Sequence, residues 1–142
     1  MTPKPRLAID MDEVIADAHG AVLARYESDF GYRLASAQCA GVTLRSLVAP
    51  EHAQAMDAIL HEGSIYRSFA VIEGSQRALQ RLMDRFEVFI TSAAMDYPGG
   101  CAAKFDWLQA HFPFIAPANI VFCGDKSIIA ADLMIDDHVR NF

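Results

Sequence analysis

Four short apolar runs punctuate the chain, and each ends in polar or charged residues. Leu7-Ala8-Ile9 runs into Asp10, and Val88-Phe89-Ile90 into Thr91-Ser92. Ile120-Val121-Phe122 runs into Cys123-Gly124-Asp125-Lys126, and Leu133-Met134-Ile135 into Asp136-Asp137. Continuous runs this short suit strands buried on both faces of a parallel sheet. Helical periodicity lies between some of them. Residues 75–85 place Ala78, Leu79, Leu82 and Met83 at helical spacing, behind Gly74-Ser75 as a start signal. Residues 102–112 place Phe105, Leu108 and Phe112 on one face, and Pro113 stops the helix. Strands alternating with helices predict an α/β sheet joined by right-handed crossovers. In such sheets ligands sit beyond the carboxyl ends of the strands, which is where all four runs turn polar.

Residues 17–71 follow another pattern. The stretch 14–30 reads as a helix carrying Val22, Leu23 and Tyr26, and 49–61 as a second carrying Met56, Ile59 and Leu60. An irregular segment around Gly41-Val42-Thr43 separates them. This predicts a mostly helical insertion after the first strand, lying over the strand ends as a lid. The core is then 1–16 with 72–142. Asp96-Tyr97-Pro98-Gly99-Gly100 is a loop on turn chemistry alone.

Composition narrows the class. With 142 residues, 53% hydrophobic and 21% charged, the chain has the material for one packed domain with a small insertion. A net charge of −6 argues against a nucleic-acid polymer as partner, because phosphate backbones need clustered Lys and Arg. It leaves room for a small phosphorylated substrate, since a cation and a lysine can reverse the field within one cleft. Cys39, Cys101 and Cys123 form no CxxC pair and read as free thiols in a reducing compartment. Leu7-Ala8-Ile9 is cut off at once by Asp10, which predicts no signal peptide, and no window reaches the roughly 20 apolar residues of a spanning helix. The expected compartment is the cytoplasm, with no membrane partner.

The polar ends carry the chemistry. Asp10-Met11-Asp12 in extended backbone points both carboxylates the same way, with Met11 packed behind. Two close carboxylates repel, unless a divalent cation or a split between nucleophile and proton donor employs them; a solvated turn is the alternative. Asp136-Asp137 offers the oxygen ligands of a hard cation, or else a helix N-terminus. Lys126 could meet a phosphate or balance the acids, or be an ordinary surface lysine. The Thr91 hydroxyl could bind a phosphoryl oxygen, or serve a turn or cap. The histidines show no metal spacing, although His19 lies near the first acidic pair. Trp107, Phe105, Phe112 and Phe114 read as core. Tyr66, Arg67 and Phe69 could line the lid side of a pocket or form a hinge. Arg45 and Arg140 read as surface arginines.

Order and spacing link these groups. A DxD pair after the first strand, Thr after a later one, Lys, then two acids ten residues beyond that Lys resemble the haloacid dehalogenase-like phosphatase superfamily in all four of its motifs. A closer resemblance runs through Ile9-Asp10-Met11-Asp12-Glu13-Val14-Ile15-Ala16-Asp17, Thr91-Ser92, and Cys123-Gly124-Asp125-Lys126 through Asp136-Asp137. With Ile72-Glu73-Gly74-Ser75 and Phe105-Asp106-Trp107-Leu108, these are similar to the 5'(3')-deoxyribonucleotidase family, particularly its bacterial members. The resemblance implies a Rossmann-like three-layer parallel core with a small helical cap, Mg²⁺, and hydrolysis of nucleoside monophosphates. By matching position it implies Asp10 as nucleophile and Asp12 as proton donor and later base. Thr91 with Ser92 would hold the phosphoryl group and Lys126 would offset its charge. Asp137 with Asp136, Asp10 and the backbone carbonyl of Asp12 would hold the metal.

The chain departs from that pattern in three places. Asp17-Ala18-His19-Gly20 stands where an aromatic residue often stacks on the base, Met95 where many members carry Lys, and Ala93 where the animal enzymes carry Pro. The resemblance also predicts a further strand and helix beyond Phe142. Two other readings stay open: a phosphatase for another small phosphorylated metabolite, and a non-catalytic binding protein on the same fold. Association into a homodimer is also left open.

Overall fold

The computed structural model describes residues 3–34, 36–39 and 44–141. The expected irregular segment at Gly41-Val42-Thr43 lies outside the described residues. In chain order the elements are β1 (Arg6–Asp10), β2 (Ala16–Asp17), α1 (Ala18–Phe30), α2 (Ser36–Cys39), α3 (Leu44–Leu47) and α4 (Ala53–Glu62). There follow β3 (Ala70–Val71), α5 (Ser75–Met83), β4 (Glu87–Ser92), α6 (Cys101–His111), β5 (Ile120–Phe122) and β6 (Leu133–Ile135). All four expected strands form, in one parallel sheet ordered β5-β4-β1-β6. Its register sets Asp10 beside Thr91 and Ile9 beside both Ile90 and Ile135. Parallel strands put every carboxyl end on the same edge, so the polar termini meet there.

Leu7, Ile9, Val88 and Ile90 join Leu79, Trp107, Leu108 and Phe112 in the core, which gives the sheet one face packed against α5 and α6. On alternate positions Ala8, Phe89 and Val121 line a hollow of about 350 Å³, covered by residues 128–131 of the β5-to-β6 crossover. The expectation of burial on both faces therefore fails at β6. Leu133 is 52% exposed, because this strand pairs only with β1 among the described residues.

Two boundaries and one helix face differ from the periodicity. The helix read from position 14 starts only at Ala18. Before it, the Met11 carbonyl accepts bonds from the N–H groups of Ile15 and Ala16 at 3.0 Å each, and Glu13 takes a φ of 60°. Val14 and Ile15, β-branched, favour this turn over a helix. The start was marked by Asp17, whose carboxylate caps the helix by accepting from Gly20 N–H at 2.8 Å. A Cβ on Gly20 would collide with that carboxylate. On α6 the buried stripe is Ala103, Lys104, Trp107 and Leu108, and Phe105 is left 37% exposed, outside the core expected for it. The second insertion helix is split into a 3-10 turn, Pro50–His52, and α4.

The insertion is closed at its base by an antiparallel ladder pairing Ala16 with Val71 and Asp17 with Ala70. It is not a separate body, because Val22, Tyr26, Met56 and Tyr66 belong to the same core cluster as the sheet. Trp107 Nε1 donates to the Phe69 carbonyl at 2.7 Å. At a second seam the end of α4 lies against the loop before α6. Gly63 has a φ of 87°, and a Cβ there would stand 2.6 Å from the Gly99 and Gly100 backbone. No described helix is long and apolar enough to cross a membrane.

The packing assigns very different weights to two aromatics on α6. Trp107→Ala should cost about 3–5 kcal/mol, as a large cavity and a lost buried hydrogen bond. Phe105→Ala should cost about 1 kcal/mol. Urea unfolding of the two variants against the parent chain checks the ordering.

Candidate active site

The site forms where β1, β4 and β6 end. Asp10 closes β1 and is buried. Its Oδ1 accepts from Met11 N–H at 2.8 Å and from Lys126 Nζ at 2.6 Å. Lys126, 3% exposed, starts a 3-10 turn after β5 and reaches back across the strand ends. Its ammonium also binds Asp136 Oδ2 at 2.6 Å. The other Asp136 oxygen accepts from His138 N–H at 2.9 Å and Asn141 Nδ2 at 2.8 Å. Asp137, next along, is exposed and lines the cleft.

The electrostatics follow from burial. Desolvation pushes the Asp10 carboxyl up to about 7, against the pull of Lys126, with the Asp136 and Asp12 charges adding to the rise. Burial also works against charge on Lys126 and Asp136. The bonds to Asp10 and Asp136 outweigh it at Lys126, whose value rises. The bonds from Lys126, Asn141 and His138 outweigh it at Asp136, whose value falls. Asp10, Asp136 and Asp137 each offer a carboxylate oxygen, and the three lie within 4.8 Å of one another. Hard oxygen donors this close, around a carboxyl whose ionisation is opposed by its neighbours, fit a small divalent cation. The Asp12 side chain is not in this cluster.

Asp12 turns to a second lysine. Its Oδ2 accepts from Lys104 Nζ at 2.6 Å. Lys104 also donates to Ser92 Oγ at 3.1 Å and stands 4.9 Å from the centre of the Tyr66 ring. Asp12 Oδ1 is buried without a hydrogen-bond partner. All these groups border one pocket of about 250 Å³, with Asp10, Asp12, Ser92, Lys104, Lys126 and Asp137 on its polar side. Val22, Leu60, Tyr66, Phe69 and Tyr97 supply the apolar side, from the insertion and the loop before α6. A neighbouring hollow of about 240 Å³ shares Val22, Leu60 and Tyr97 and adds Val48, Met56, Arg45 and Asp57.

The structure thus brings together Asp10, Asp12, Ser92, Lys126, Asp136 and Asp137 from the sequence reading. Thr91 is adjacent but fully buried, with its hydroxyl donating weakly to the Ile9 carbonyl at 3.4 Å, and it does not border the pocket. Tyr66 and Phe69 line the lid side, whereas Arg67 pairs with Asp106 at 2.7 Å on the surface. His19 pairs with Glu13 at 2.8 Å and is not among the pocket residues. Arg140, read as a surface residue, borders the pocket mouth and pairs there with Asp96 at 3.3 Å. Lys104 is the functional candidate that sequence reasoning missed. Its signal was a charged residue three and four positions before Trp107 and Leu108, inside the buried stripe of a helix. The exposed Met95 stands where a cation was expected, and α6 delivers one from another direction.

Residues 4–142 match the model of the family described as 5' nucleotidase, deoxy (Pyrimidine), cytosolic type C. A putative 5'(3')-deoxyribonucleotidase of Staphylococcus epidermidis is 37% identical over 137 residues, 96% of this chain and 76% of that protein. The 5'(3')-deoxyribonucleotidase of Bacillus subtilis is 36% identical over 141 residues, 97% of this chain and 78% of that one. Among solved structures, a haloacid dehalogenase family hydrolase from Deinococcus radiodurans with bound phosphate and sodium superposes with a TM-score of 0.53 at 15% identity. That match covers 86% of this chain and 59% of the other, and it shows a shared fold.

The acidic cluster leads to a binding prediction. Mg²⁺ at about 100 times its dissociation constant should stabilise the fold by about 2.7 kcal/mol, seen as a raised thermal midpoint. Asp137→Asn should weaken Mg²⁺ binding by roughly 10-fold or more in calorimetric titration, without lowering the metal-free midpoint, because Asp137 is exposed.

Proposed function

The chain belongs to the family of cytosolic type C 5' deoxynucleotidases, and on that premise we propose that it is a cytoplasmic Mg²⁺-dependent phosphomonoesterase acting on (deoxy)nucleoside monophosphates. The observation that carries the proposal is the pairing of two carboxylates in one pocket with two different buried lysines. Asp10 and Asp12 are thereby held in different surroundings, which is what separate roles as nucleophile and proton carrier require.

Asp10 has its Oδ1 tied to Met11 and Lys126, which leaves Oδ2 to attack phosphorus. The P–O bond to the sugar oxygen breaks as the bond to Asp10 forms, giving an aspartyl-phosphate. Asp12 Oδ1 gives its proton to the departing alkoxide. Water then attacks the phosphorus, Asp12 takes up the water's proton, and phosphate leaves with Asp10 restored. Lys126 spends two of its three donors on Asp10 and Asp136, and the third remains for a phosphoryl oxygen. The Ser92 hydroxyl accepts from Lys104 and keeps its own proton to donate. Thr91 lies behind it, with its hydroxyl on the Ile9 carbonyl. Asp10, Asp137, Asp136 and the Asp12 backbone carbonyl would hold Mg²⁺, which when bound neutralises charge on the transferring phosphoryl group. Residues 17–71 act as the cap over these groups.

The apolar wall supports a nucleoside over a smaller metabolite. Tyr66, Phe69 and Tyr97 offer aromatic surface where a base can pack, and the hollow beyond them extends that surface under Arg45 and Asp57. Ala18 also borders the pocket, and its small side chain leaves that side open.

Phosphate release from a panel of ribo- and deoxynucleoside 5'- and 3'-monophosphates with Mg²⁺ tests the reading, beside sugar phosphates as competitors. Asp10→Asn should lower kcat by roughly 10³-fold or more with its fold retained. Full activity in that variant would remove Asp10 as nucleophile. A preference for sugar phosphates would move the substrate away from nucleotides.

A further inference from the structure

The two buried lysines are not equivalent. Lys126 holds Asp10 and Asp136, whereas Lys104 holds Asp12 and Ser92. An ammonium carries three N–H groups. Two of those on Lys104 go to Asp12 Oδ2 at 2.6 Å and Ser92 Oγ at 3.1 Å, and the ammonium lies over the face of Tyr66, 4.9 Å from the ring centre. The side chain is 6% exposed and rises from the buried stripe of α6, between Ala103 and the Trp107-Leu108 pair. Burying an ammonium here is costly, and its partners offset that cost only in this one geometry. Asp12, by contrast, follows the end of β1 in a tight turn, and its side chain keeps an exposure of 36%. Its position depends on what it is tied to.

We propose that Lys104 is a positioning residue for Asp12, fixing which carboxylate oxygen handles the proton in the phosphomonoesterase reaction. With Lys104 donating to Oδ2, a proton carried by Asp12 sits on Oδ1, the oxygen that is buried and without a partner. That oxygen is then presented in one orientation to the leaving oxygen and afterwards to the attacking water. Ser92 is held by the same ammonium, so the proton carrier and a phosphoryl-binding hydroxyl keep a constant spacing. Tyr66 comes from the lid side, so the insertion contributes to the arrangement. The inference rests on the assignment of Asp12 as acid and base proposed above.

The test exploits the leaving group. Thymidine 5'-monophosphate releases an alkoxide that needs a proton, whereas p-nitrophenyl phosphate releases an anion that does not. Lys104→Met should lower kcat on the nucleotide by roughly 100-fold or more, with a smaller change in KM. On p-nitrophenyl phosphate the first phosphoryl transfer should survive in the variant, giving a rapid burst of about one p-nitrophenolate per enzyme. Slow turnover should follow, because the aspartyl-phosphate still awaits base-assisted water. Lys104→Gln, which keeps a donor toward Asp12 without the charge, should show the same ordering with smaller losses, and it serves if Lys104→Met does not fold. Equal losses on both substrates without a burst, or a KM rise alone, would mean that Lys104 binds phosphate directly and would overturn the proposal. Unchanged rates on both would overturn it too. A parent enzyme inactive on either substrate would overturn the phosphomonoesterase reading first, and the role of Lys104 with it.

Discussion

Lys126 carries its ammonium into the carboxyl end of the sheet and holds Asp10 and Asp136 there at 2.6 Å each. Much of the site geometry depends on this buried contact. Asp10 sits at the end of the central strand, where burial disfavours its charge, and without a cation the carboxyl would be an expensive polar group in a dry place. Asp136 accepts on both oxygens, so it anchors the lysine while still standing within the acidic cluster. The network also joins the end of β1, the segment after β5 and the segment after β6. A buried ion pair of this kind contributes less to net stability than to holding one arrangement. Here that arrangement is the one that turns Asp10 into the pocket.

A second ion pair, Lys104 with Asp12, gives two carboxylates two residues apart different surroundings. Identical groups in one cleft take different roles only if their surroundings differ. Asp10 is dry, near two other acids, and bound through the turn after β5. Asp12 is partly open and bound through α6. The lid contributes to the second pair through Tyr66 and to the apolar wall through Val22 and Leu60. Its close approach to the core at Gly63, Gly99 and Gly100 leaves no room for a side chain, so the lid is held near the strand ends by backbone contact as well as by buried apolar surface.

Membership in the deoxynucleotidase family and the geometry of the pocket point the same way, from different grounds. The family likeness extends over nearly the whole chain, and the pocket adds six polar residues and an aromatic wall. The wall also answers the departure at Ala18: the aromatic surface lies on Tyr66, Phe69 and Tyr97 instead.

The parallel sheet and the polar strand ends were legible in the sequence because a strand buried in a sheet needs a continuous apolar run, and the residue where the run stops marks the sheet edge. That ground drew attention to Asp10, Asp12, Thr91, Ser92, Lys126, Asp136 and Asp137, and the order and spacing of the motifs linked them. Local chemistry also marked the start of α1 at Asp17, although the longer apolar pattern hid it. What the sequence did not determine was direction. Thr91 and Ser92 are neighbours in one strand, and only the pleat and the neighbouring strand decide that Ser92 borders the pocket while Thr91 turns to Ile9. Phe105 and Lys104 are neighbours on one helix, and only the packing of α6 decides that the phenyl ring faces outward and the ammonium inward. The burial of β6 depended on which strands would lie beside it. Periodicity records how often a residue returns to a face; which face meets the core, and what charge waits there, is set by segments far away in the chain.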